Sequence, residues 1–199
     1  MFDTHANFIG SIRRPEGAQQ VEVRWPTDEE WYEHNRNAQY FVQDLGRGMS
    51  ETQPQTTQAD YKLYQKVRLP EAPDLSPDEA EMFINAMGTC QINGVTLEPD
   101  QATVQMTVAG GLRVKHRLRI PTTAETVQFN RKSARMVAMQ HGKQMIRINM
   151  QAGAELYSQC LLGTEGYSNG VPGFHGSAAI RAVIQASKEQ AEGAKDEDF

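Results

Sequence analysis

The sequence predicts an α+β fold made by internal duplication of one β-hairpin-plus-helices unit, the two copies related by a pseudo-two-fold. Three observations lead there. Arg24-Trp25-Pro26-Thr27-Asp28-Glu29-Glu30 recurs 95 positions later as Arg119-Ile120-Pro121-Thr122-Thr123-Ala124-Glu125, and six of the thirteen positions from Arg24 to Arg36 are identical at that offset. Two further matches follow in the same order: Ala59…Leu63-Tyr64…Leu69 with Ala152…Leu156-Tyr157…Leu162, and Ile84-Asn85-Ala86-Met87 with Ile180-Arg181-Ala182-Val183. Around each Arg-x-Pro-Thr the hydrophobic period changes from two to helical spacing, the mark of a strand running into a helix. The expected organisation is a first repeat unit over 1–90, a second over 91–188, and a charged flexible tail over 189–199. Two copies are too few for a solenoid.

Each element follows from local chemistry. Phe8–Ile12 and Gln20–Trp25 read as a hairpin around Pro15-Glu16-Gly17. The residue before a proline is pushed to extended geometry, so Trp25 and Ile120 end strands. Thr27 and Thr122 then stand at N-cap positions with Glu30 and Glu125 three residues on, a capping box in each copy. A helix is expected from Asp28 to about Leu45, with Trp31, Asn35, Ala38, Val42 and Leu45 on one face, stopped by Gly46-Arg47-Gly48. Met49–Gln58 lacks periodicity and reads as a loop. Ala59–Leu69 reads as a short helix. Ser76-Pro77-Asp78-Glu79 starts another that runs to about Met87. Asn93-Gly94 signals a tight hairpin between Gln91-Ile92 and Val95–Leu97. Thr103–Val108, a Gly110-Gly111 turn and Leu112–Ile120 open the second copy. Helices are expected from Thr123 to about Gln140, over most of Gln144–Leu162, and over Ser177–Lys188, with Gly163–Gly176 as an ordered loop.

The formal net charge is −5, but it is unevenly spread along the chain. Residues 1–100 carry 8 Lys/Arg and 17 Asp/Glu, residues 101–186 carry 10 and 3, and residues 187–199 carry 2 and 5. Such asymmetry points to partner binding rather than to solubility alone. In Leu112–Ile120 the residues Arg113, Lys115, Arg117 and Arg119 alternate with apolar positions, so a strand places four cations on one face. Arg131, Lys132 and Arg135 follow. Three readings compete for this row: docking on an acidic protein surface such as the acidic half of a neighbouring copy, a phosphate-binding surface, and a solvated face. Nucleic acid ranks below protein because the chain is acidic and shows no RNA-binding signature or aromatic interleaving.

Chemistry-bearing motifs are missing. The histidines His5, His34, His116, His141 and His175 have no metal-ligand spacing, and Cys90 and Cys160 cannot by themselves make a zinc site. His116 is expected to be buried and to donate to a backbone carbonyl. There is no GxSxG, no GxxxxGK[ST] and no GxGxxG after a strand. Hence no catalytic residue, cofactor site or metal site is expected, and the chain is expected to be non-enzymatic. An enzyme with a non-motif site in the loop around His175 is a third reading. Met136, Met139, Met145 and Met150 read as core or as an adaptable partner groove. No run is long and apolar enough to span a membrane, and no secretory signal opens the chain.

The strand running into Arg-x-Pro-Thr-x-x-Glu at Arg24–Glu30 and Arg119–Glu125, followed by helices and a charged tail, resembles the tail assembly, chaperone-like proteins of tailed bacteriophages. The resemblance implies a non-enzymatic virion structural or assembly protein. It would bind other phage structural or assembly proteins, or itself, through charge-complementary faces, in the host cytoplasm or in the virion. A nucleic-acid-binding accessory protein using strand 112–120 is the alternative. The resemblance carries over no functional residues.

Overall fold

The computed structural model describes the backbone of residues 1–46, 49–140 and 143–196, and the side chains of 1–38, 55–133 and 148–192. The fold is α+β with antiparallel sheets, and it divides into two compact units. They interleave in sequence instead of splitting near residue 90. One, here the hairpin unit, holds Thr4–Gly88 and Lys132–Asn149; the other, the platform unit, holds Met1–Asp3, Thr89–Arg131 and Met150–Phe199.

The hairpin unit begins with β1 (Phe8–Arg14) and β2 (Gly17–Val23), the expected hairpin. Helices α1 (Asp28–Asn37), α2 (Thr57–Val67) and α3 (Pro77–Met87) follow. The expected capping box at Thr27 with Glu30 forms, and the helix entry at Ser76 closes a second one with Glu79. Val21, Val23, Tyr64, Val67, Ala80, Phe83 and Met87 make the core. Phe83 stands edge-on to Phe8 and Tyr64, with ring centroids 5.4 and 6.0 Å apart.

Four expectations fail in this unit. The helix from Asp28 stops at Asn37, and β3 (Gln39–Gly46) and β4 (Met49–Gln55) form a hairpin in place of a longer helix and a loop. In the second half of the chain, β8 (Ala134–Gln140) and β9 (Lys143–Ile148) likewise replace the ends of two expected helices. Tyr40-Phe41-Val42 and Met145-Ile146 are short apolar runs, which spacing alone cannot assign to helix or strand. Pairing decides: β3 lies beside β9, so the two hairpins join in one sheet of order β4-β3-β9-β8. The methionine cluster Met136, Met139 and Met145 lies outside the described side chains.

The platform unit is a four-stranded sheet, order β10-β7-β6-β5, from β5 (Cys90–Leu97), β6 (Gln101–Val108), β7 (Leu112–Arg119) and β10 (Leu161–Glu165). Asn93-Gly94 is not a turn. It sits inside β5 at a register shift between Ile92 and Gly94, and the reversal into β6 comes after Leu97. One sheet face, with Ala102, Val104, Met106, Val108, Val114, His116 and Leu118, is buried. Helices α4 (Thr123–Ser133), α5 (Met150–Cys160) and α6 (Gly173–Asp196) complete the unit. α5 and α6 pack together, and α6 lies on β5 and β6. The segment expected as a charged tail continues α6 as helix to Asp196. Phe2 straps the chain start onto the loop after β10: its N–H donates to the Gly166 carbonyl (2.7 Å) and its carbonyl accepts from the Ser168 N–H (2.9 Å).

Candidate functional site: an open basic sheet face

Strand alternation that buries Val114, His116 and Leu118 turns Arg113, Lys115, Arg117 and Arg119 to the other face of the platform sheet. On β6 their direct partners are Thr107, Gln105, Thr103 and Gln101, all neutral. On β5, Gln91 and Thr96 continue the face opposite Thr107 and Thr103. The face is thus polar, carries four cations, and has no aromatic residue among its paired strand positions.

Two of the cations are held. Arg119 makes a bidentate pair with Glu125 (2.6 and 2.8 Å) while Glu125 also accepts from the Thr122 N–H (2.8 Å). The guanidinium, then these cap hydrogen bonds, hold the Glu125 carboxyl down at about 2. The Arg24–Glu30–Thr27 set repeats the arrangement, with the same bidentate distances of 2.6 and 2.8 Å. Lys115 pairs with Glu165 on β10 at 3.2 Å. Arg113 and Arg117 are exposed and form no ion pair among the described residues. Arg117 lies over Gly163, where a Cβ would sit 3.1 Å from a guanidinium nitrogen. Beside Arg113 and Lys115 opens a cleft of about 570 Å³, lined also by Asn93, Gln105, Thr107 and Glu165. Asn93 donates to the Thr107 hydroxyl there (2.8 Å).

Of the other row members, Arg131 and Lys132 are exposed on α4, and the Arg135 side chain lies outside the described residues. The linear charge asymmetry does not survive folding. The platform unit holds 8 Lys/Arg and 11 Asp/Glu, and the hairpin unit 12 and 14. Basic residues 132–149 join the acidic first half, and the acidic chain end joins the basic strand. An acidic half facing a basic half is therefore not a property of the folded units; the basic row is local to one sheet face.

Behind that sheet lies a buried network that residue spacing does not announce. His116 Nδ1 lies 2.9 Å from the Tyr157 hydroxyl, and its Nε2 lies 3.0 Å from the Tyr167 hydroxyl. Tyr167 also reaches His175 Nδ1 at 3.2 Å. His116 therefore meets two phenols, not the backbone carbonyl expected for it. Burial lowers the His116 imidazole to about 4; burial, then the neighbouring His116, lowers His175 to about 3. Burial raises Tyr157 and Tyr167. His175 Nε2 is buried with no hydrogen-bond partner. The cluster is a neutral structural network in which every group is held in its uncharged form. Cys90 is pushed up to about 12 by burial, so its thiolate is scarce at neutral pH. In the hairpin unit His34 Nε2 pairs with the buried Asp60 at 2.7 Å, another contact between residues 26 positions apart that no motif marks.

No protein family, curated protein or solved structure matches the chain. Among the described residues there is no cluster of His, Cys, Asp or Glu able to hold a metal, and no helix long and apolar enough to cross a membrane.

Proposed function

We propose that the protein is a non-enzymatic assembly protein of the bacteriophage virion type that holds an acidic surface of a partner protein on its open basic sheet face. The observation that carries this reading is the pair Arg113 and Arg117. They stand on a strand, exposed and in no ion pair among the described residues, flanked by neutral Thr and Gln on β6. Fixed cations of this kind steer an anionic partner and set its register more than they add raw affinity. The face offers hydrogen-bonding groups but no aromatic platform. That favours carboxylates of a folded protein over the stacked bases of single-stranded nucleic acid.

The test is a fluorescence-anisotropy titration with a glutamate-rich peptide and with duplex DNA, at two salt concentrations. Peptide binding that weakens with salt, and weakens about tenfold or more in Arg113→Glu/Arg117→Glu, is expected. DNA binding much tighter than peptide binding, with the steep salt slope of counterion release, would move the protein to the nucleic-acid class. Binding of neither probe at low salt would remove both readings.

A further inference from the structure

The strand order β4-β3-β9-β8 contains an instruction for assembly between copies. The two hairpins are built alike. Each follows a helix that starts at a Thr–Glu capping box, and each carries one register shift in its first strand. Aligning the turn-flanking pairs Gly46↔Met49 and Gln140↔Lys143 gives an offset of 94. The same offset carries Tyr40↔Pro54 onto Ala134↔Ile148, the far pair of the second hairpin. So β3 corresponds to β8, and β4 to β9.

A two-fold between the hairpins would pair corresponding strands, β3 with β8 or β4 with β9. The chain instead pairs β3 with β9, which are non-corresponding edges. That contact is heterologous, and a heterologous contact is open: it leaves on the outside the same two edges that it used inside. The outer edge of β8 corresponds to the edge of β3 that receives β9. The outer edge of β4 corresponds to the edge of β9 that receives β3. Both are terminal strands of the sheet.

We infer that the β8 edge of one molecule pairs antiparallel with the β4 edge of a second copy, continuing the sheet head to tail. The in-chain pairs Tyr40↔Ile146, Phe41↔Met145 and Val42↔Gln144, shifted by the offset, give the register. Ala134, Arg135 and Met136 oppose Thr52, Glu51 and Ser50 of the next copy. The shifted register opposes a cation to a carboxylate at its central pair, Arg135 with Glu51, an arrangement that favours a cross-strand pair. The three positions also stop short of Pro54, which has no N–H to give to a ladder, and of the register shift between Met136 and Ala138. Among its seven residues β8 has one charge and neither Pro nor Gly, so its edge lacks the usual devices against pairing. Repetition of the contact gives a ring if the rotation closes and a filament if it does not.

The register is testable by disulfide formation, because opposed strand residues have Cα separations within disulfide range. Full-length chains carrying Ser50→Cys and Met136→Cys are purified separately, mixed, and oxidised mildly, with the unsubstituted protein as control for Cys90 and Cys160. A covalent dimer in the mixture, above that of either variant alone, is expected, and a chain carrying both substitutions should give a ladder or closed ring. A dimer from Met136→Cys alone, which means symmetric pairing, or no mixed dimer from folded variants, overturns the inference. Native mass spectrometry of the unsubstituted chain reads the same point without a variant. Species of three or more copies are expected, and monomer or dimer alone overturns it. The basic sheet face plays no part in this contact, so Arg113→Glu/Arg117→Glu should leave the ladder intact.

Discussion

Acid should destabilise this protein well before ordinary acid denaturation, and the buried histidines set the amount. Unfolded, His116 and His175 bind a proton near pH 6.5. Folded, burial holds them at about 4 and about 3. Between these values the unfolded chain binds more protons, so stability is full above about pH 6.5 and falls as pH drops. Each histidine contributes a slope of about 1.4 kcal/mol per pH unit where the folded form stays neutral and the unfolded form is charged. From pH 7.5 to 4.5 the two together remove about 5 kcal/mol, against a typical domain stability of ~5–15 kcal/mol. The assay is urea unfolding at pH 7.5, 5.5 and 4.5, followed by tyrosine and tryptophan fluorescence and circular dichroism. In His175→Phe the slope should halve, because one of the two proton-binding differences is gone and the ring still packs beside Phe2 and Phe174. A stability that is flat from pH 7.5 to 5, or an unchanged slope in His175→Phe, would refute the burial argument.

Other outcomes follow from single contacts. Thr27→Ala and Thr122→Ala should each lower stability by about 1 kcal/mol in thermal melts, since each removes a helix cap that the Arg–Glu pair does not replace. Cys90 and Cys160 should react slowly with a thiol reagent at pH 8 and rapidly once the chain is unfolded, because burial raises both thiols. Gly153→Ala should destabilise by ~1–3 kcal/mol: its Cβ would run into the Ser177 hydroxyl and lie 2.9 Å from the Ser177 Cβ, where α5 and α6 meet closely.

Legibility in the sequence tracked how local the determining interaction was. The β1–β2 hairpin, the capping boxes at Thr27 and Thr122 and the cation row were readable, because a turn, a cap and strand alternation are fixed by residues two to four apart. The β3–β4 and β8–β9 hairpins were not. Val42 and Leu45 fit a helical face as well as a strand, and only the pairing of Tyr40–Val42 with Gln144–Ile146, a hundred residues away, selects the sheet. Asn93-Gly94 carried the strongest short hairpin signal in the chain, yet it became a bulge because β5 aligns with β6 through residues on both sides of it. The His116–Tyr167–His175 network was hidden for the same reason: its members come from a strand, a loop and a helix that only the fold brings together. The charge halves misled because the chain passes between the units four times, mixing acidic and basic segments.

The most direct measurement compares two charge reversals of equal size on binding of the glutamate-rich peptide: Arg113→Glu/Arg117→Glu on the open face, and Arg13→Glu/Lys62→Glu at exposed positions of the hairpin unit. If the sheet face is the docking site, the first pair weakens binding by about tenfold or more, about 1.4 kcal/mol, while the second changes it little. Equal losses from both pairs would mean that net charge alone attracts the peptide, and would contradict a docking role for the face.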